Sequence, residues 1–115
     1  MRSLPPLALK LTHMHDAWIV GSAADPCNES PRDYDVIVPF SSWGQACMLI
    51  PGDAKPNSFG GFKCIDDGIE VDVWPGDLGW LMQRPKAMYA WHPASGVLLK
   101  KQDRDGEALA VQNKS

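Results

Sequence analysis

The segment Arg32-Asp33-Tyr34-Asp35-Val36-Ile37-Val38 decides how this chain is read. Its β-branched second half predicts a strand from Tyr34 that Pro39 ends, and two aspartates stand at the front of it. Strand side chains alternate between faces, so Asp33 and Asp35 share one side while Tyr34 and Val36 share the other. A third carboxylate, Asp72, lies in a second apolar run, Ile69-Glu70-Val71-Asp72-Val73-Trp74, where it shares a face with Glu70 and Trp74. Acidic side chains inside strands are unfavourable unless something compensates them, and three converging carboxylates repel one another without a cation. Asp33 and Asp35, with Cα atoms roughly 6.5–7 Å apart, can lean toward ions separated by about 3.5–4 Å. Oxygen ligands with no adjacent cysteine or histidine motif select magnesium or manganese over zinc.

Upstream, Ala17-Trp18-Ile19-Val20 is a short apolar run stopped by Gly21-Ser22, a buried strand entering a tight turn. Glycine there allows close backbone approach and serine offers a hydroxyl, so Gly21 and Ser22 are candidate phosphate ligands. Residues 23–32 contain Pro26 and Pro31 and leave room for about one helical turn and a loop. Downstream, Ser41 and Ser42 are candidate caps for a helix over 43–49, which Pro51-Gly52 ends. The polar stretch 52–61 reads as a loop. Asp66-Asp67-Gly68 between apolar runs is a hairpin signal, which makes the strands on either side antiparallel neighbours. Asp77 is placed to cap a short helix through Met82 that covers one face of the sheet. Val97-Leu98-Leu99 reads as a final edge strand.

The chain has 115 residues, 44% of them hydrophobic, and a formal net charge of −3. That length suits one domain with a real core. An acidic balance argues against broad electrostatic docking on a duplex, although a local basic patch still suits a polyphosphate. The apolar stretch from Leu4 to Leu11 is broken by Pro5 and Pro6 and cannot span a membrane. No export signal is visible, and the odd, widely spaced Cys27, Cys47 and Cys64 suit reduced thiols in a cytoplasm. Cytoplasmic localisation without a membrane partner is therefore expected.

In order and spacing, Gly21-Ser22, Asp33-Tyr34-Asp35 and Val71-Asp72-Val73 resemble the nucleotidyltransferases of the DNA polymerase beta-like superfamily. The stretch Asn57-Ser58-Phe59-Gly60-Gly61-Phe62-Lys63 ahead of Val71-Asp72-Val73-Trp74 looks like segments of poorly characterised members. The resemblance covers about 17–81. It implies transfer of a nucleoside monophosphate from a nucleoside triphosphate such as ATP to an acceptor hydroxyl, with release of pyrophosphate. Asp33, Asp35 and Asp72 would be both the catalytic and the metal-binding acids for Mg2+ or Mn2+. Gly21 and Ser22 would hold the terminal phosphates, with Lys63 as a further nucleotide contact. The acceptor would be a small molecule, a protein or an RNA end. Two features depart from the pattern: the prolines after Gly21-Ser22, and the absence of room for the helical C-terminal domain of larger members. Acceptor recognition is then expected from the 52–61 loop, from a partner subunit or homodimer, or from nothing at all. A degenerate member acting as a binding module, antitoxin-like or accessory, is the competing expectation.

Plainer readings stand beside these. Asp-x-Asp alone is more often a solvated turn, Ser22 can cap a turn, and Lys63, Arg84 and Lys86 are scattered charges of the kind that usually lie at the surface. His13 and His15 share a face only on an extended segment, and they lack zinc-site spacing. Of the five tryptophans, Trp74 is the one placed to stack a base beside Asp72. The combined expectation is an α+β domain over residues 1–101, with a small mixed, twisted sheet and helices packed on one face, followed by a polar, mobile tail at 102–115.

Overall fold

The computed structural model describes residues 4–101 and the strand at 108–112. The chain runs α1 (Pro6–His15), β1 (Trp18–Val20), a 3-10 turn (Gly21–Ala24), β2 (Asp33–Val38), α2 (Phe40–Ala46) and a second 3-10 turn (Cys47–Leu49). It continues through β3 (Lys55–Pro56), β4 (Phe62–Asp66), β5 (Ile69–Pro75), α3 (Gly79–Gln83), β6 (Tyr89–His92), β7 (Val97–Lys101) and β8 (Ala108–Gln112). Among the described residues the strands form one sheet in the order β3-β4-β5-β2-β1-β6-β7-β8. Only β2 and β5 run parallel, so the sheet is mixed and the α+β class holds.

α1 begins at Pro6, whose ring fixes a helical φ where no amide partner is needed. Leu7, Ala8, Leu11 and Thr12 form its buried stripe. Asp16 ends it in the left-handed region at φ 59, and the amides of Asp16 and Ala17 both close on the Leu11 carbonyl. At the other end, the Leu7 amide donates to Asp66 Oδ2 at 2.6 Å, which ties the helix to the far tip of the β4–β5 hairpin. That hairpin turns through Asp67 at φ 54 and Gly68 at φ 79, the two left-handed residues of a type I′ turn.

Each face of the sheet has its own core. Tyr34, Val36, Val38, Val71 and Val73 pack with Leu7, Leu11 and Ala46 beneath α1 and α2. On the opposite face Val20, Ile37, Trp74 and Ala90 pack with Leu81 of α3. The expected placement of all helices on one face is therefore corrected. Residues of β2 and β5 that point away from α1 include Ile37 and Trp74, and α3 covers them.

Two local readings also change and one holds. α2 starts at Phe40 behind Pro39 with no side-chain cap from Ser41 or Ser42. The turn after Gly21 is a single 3-10 turn followed by a loop, in keeping with the expected one helical turn. Val97–Lys101 is an interior strand, held between β6 and β8. Of the tail, 108–112 pairs with β7, and 102–107 and 113–115 lie outside the described residues. All three cysteines are free. Among the described residues no helix is long and apolar enough to cross a membrane.

Candidate active site

β2 and β5 bring the predicted acids together. In their parallel register Asp35 lies opposite Asp72 and Asp33 opposite Glu70, so four carboxylates form a two-by-two patch on the face that α3 shares. β4 adds Lys63 opposite Asp72. Its Nζ stands 3.8 Å from Asp72 Oδ2 and 3.9 Å from Glu70 Oε1, an ion-pair distance rather than a tight hydrogen bond. Asp33 is exposed, Asp35 half-buried and Asp72 buried, so the patch slopes from solvent into the sheet.

Asp35 carries the electrostatic signature of the site. Its pKa is pushed up from 3.8 to about 6. Burial is the main cause, the Asp33 and Asp72 charges add to it, and Lys63 opposes it. A carboxylate made this reluctant to ionise by its surroundings is one that a divalent cation would stabilise.

The Gly21 turn sits directly against this carboxylate. β1 pairs with β2 so that Val20 faces Asp35, and the next residue, Gly21, turns away at φ 74. A Cβ at position 21 would stand 3.0 Å from Asp35 Oδ2. Ser22 is exposed at the same turn, and its carbonyl accepts from Asn28 Nδ2 at 3.1 Å, which folds the proline-containing loop back on the turn. Gly21, Ser22, Asp33, Asp35, Lys63 and Asp72 are thus neighbours in space.

Asn57 is a site residue that sequence reasoning missed. Its Nδ2 donates to Asp72 Oδ1 at 3.1 Å and to the Phe62 carbonyl at 3.0 Å. Its Oδ1 accepts from the amides of Phe59 and Gly61. One side chain therefore folds the 57–61 loop and fixes Asp72. Gly61 makes this possible, since a Cβ there would collide with the Val73 carbonyl oxygen. The signal was present in Asn57-Ser58-Phe59-Gly60-Gly61, but its link to Asp72 is non-local.

Other expectations are corrected. Trp74 is only 4% exposed and packs against Phe59 and Trp80, so it offers no free face to a base. His13 and His15 lie in the last turn of α1, where residues two apart point to different sides. On the far side of Lys63, its partner Lys55 joins Asp53, Cys64 and Ile65 around a cleft of ≈ 350 Å³. Burial pushes the Cys64 thiol upward, which keeps it protonated and unreactive.

Among the described residues no three His, Cys, Asp or Glu side chains form a ready-made metal cage. The patch is instead an open, all-oxygen surface. That suits magnesium, which takes one or two carboxylates and completes its shell with water and substrate phosphates. No protein-family model, curated protein or solved structure matches this chain.

Proposed function

We propose that this domain is a magnesium-dependent nucleotidyltransferase that moves a nucleoside monophosphate from a nucleoside triphosphate to an acceptor hydroxyl and releases pyrophosphate. One observation carries the reading: Asp35 faces Asp72 across the parallel β2–β5 pair, and its carboxylate lies against the Gly21 turn. An acidic pair built into a sheet, beside a glycine turn whose backbone comes close to the carboxylate, matches what phosphoryl transfer asks of a protein.

Asp35 and Asp72, with Asp33 at the solvent edge, would hold magnesium through one or two carboxylates at a time, and bound magnesium would neutralise charge on the attacking and leaving oxygens. Gly21, without a Cβ, lets the turn approach the Asp35 carboxylate closely, and Ser22 would contact the terminal phosphates from the turn. Lys63 adds a positive charge at the edge of the patch. Asp72 keeps Oδ1 in its hydrogen bond from Asn57 and leaves Oδ2 to receive the acceptor's proton.

Thermal melts with magnesium, with each of the four nucleoside triphosphates, and with both together test this directly. The combination raises the melting temperature above either alone, and Asp35→Ala abolishes that gain. An unchanged melting temperature with all four triphosphates would overturn the proposal.

A second reading, a fold retained for binding without catalysis, draws on the state of Asp72. Asn57 engages one of its oxygens and Lys63 lies near the other. Transfer of labelled nucleotide to any acceptor by the purified chain excludes that reading.

A further inference from the structure

Beyond the acids, the same sheet face carries a cluster of rings. Trp74, two residues after Asp72, meets Phe59 with ring centroids 4.7 Å apart and Trp80 at 5.6 Å. The Arg84 guanidinium lies over the Phe59 ring at 5.1 Å and at 6.0 Å from the Trp80 ring centre. Trp74 is buried, whereas Phe59 is 36% exposed and Trp80 half-buried. The cluster starts where the phosphate turn ends, because Trp80 Cη2 lies 4.0 Å from the Cβ position of Gly21.

Two further facts bear on what the cluster could hold. Phe59 is held by the same Asn57 side chain that fixes Asp72, so the position of its ring is coupled to the carboxylate patch. Arg84 already stacks there as a planar, delocalised group, the kind of contact that a heteroaromatic ring also makes.

We infer that Phe59, Trp80 and Arg84 form the slot for the nucleobase of the nucleoside triphosphate, an inference that rests on the proposed function. The base stacks against the exposed side of Phe59 and the Arg84 plane, with Trp80 as the wall between them and the Gly21 turn. A single ribose separates a base from its α-phosphate, and the slot adjoins the acids that would hold that phosphate's metal, because Trp74 beneath the Phe59 ring follows Asp72 by two residues on β5.

Calorimetric titration in magnesium compares inorganic tripolyphosphate with ATP, GTP, CTP and UTP. At least one nucleotide binds roughly tenfold tighter than tripolyphosphate, the scale of a base stacked on an aromatic ring. Phe59→Ala removes this advantage while leaving tripolyphosphate affinity unchanged, and Phe59→Tyr keeps it. Melting curves establish that both variants fold, as expected for a side chain at a loop tip. If tripolyphosphate binds and no nucleotide binds more tightly, or if Phe59→Ala keeps the preference, the slot is wrong and the proposed function stands. If neither tripolyphosphate nor any nucleotide binds, both fall. Free nucleosides form a separate arm: their binding, lost in Phe59→Ala, supports the slot independently of the phosphates.

Discussion

The Asp35 carboxylate occupies the space that any side chain on residue 21 would enter, with Oδ2 3.0 Å from the Cβ position of Gly21. Gly21 also sits at φ 74, where an L side chain is strained. Gly21→Ala is therefore expected to cost on the order of 1–3 kcal/mol in urea unfolding. It should also abolish the magnesium and triphosphate melting shift. A variant that keeps both stability and shift would show that the turn is not a phosphate contact.

Asp35 makes stability depend on pH in a defined direction. Its folded pKa, about 6, lies above the ordinary 3.8, so ionising it costs the folded state more than the unfolded one. The contribution is fully present below about pH 4 and is lost as pH rises through 6. Asp35→Asn removes the ionisation, so in metal-free buffer at pH 8 the variant should be more stable than the parent by on the order of 2–3 kcal/mol. The gap should close toward pH 4. Magnesium at pH 8 should narrow it from the parent side, because a cation compensates the charge that Asn lacks. A gap that stays constant with pH would mean that Asp35 is not held in a charge-starved position.

Asn57→Ala leaves the Phe59 and Gly61 amides and Asp72 Oδ1 without this partner. The expected loss is on the order of 1–3 kcal/mol, accompanied by faster proteolytic cleavage within 57–61. Cleavage at the parent rate would show that the loop is held by other contacts.

Two glycines should respond in opposite ways to alanine. Gly61→Ala drives a Cβ into the Val73 carbonyl, so β4 and β5 must separate locally, and the loss should exceed about 3 kcal/mol. Gly44 lies in α2 with nothing within 4 Å of its Cβ position. Gly44→Ala should therefore add about 0.5–1 kcal/mol through helix propensity. Chemical denaturation of both variants measures the contrast.

The parts of this fold that were legible in the sequence are those with local causes. Asp67-Gly68 specifies its hairpin because only a few residue types accept two successive left-handed conformations, and alternation along 33–38 put Asp33 and Asp35 on one face. Pro5-Pro6 looked like an interruption, yet Pro6 opens α1, and only the burial of Leu7 and Leu11 under the sheet distinguishes the two readings. Tyr89–His92 carries no local strand signal because Tyr-Ala-Trp-His has no branched run, and its partners lie in β1 and β7. The acids were legible as candidates. The hydrogen bond from Asn57 to Asp72, and the burial of Trp74 under Phe59 and Trp80, come from chain segments meeting at a distance.

The acid-bearing strands are flanked on both sides, β2 by β1 and β5, and β5 by β4 and β2, whereas the sheet ends in β3 and β8. Fraying that starts at the margins reaches Val36, Val71 and Val73 last. Their amides should exchange with deuterated water only when the whole domain opens. Opening at the periphery and the pairing of the central strands are thereby decoupled: the outer strands can come and go while β2 and β5, which carry the acids, stay side by side.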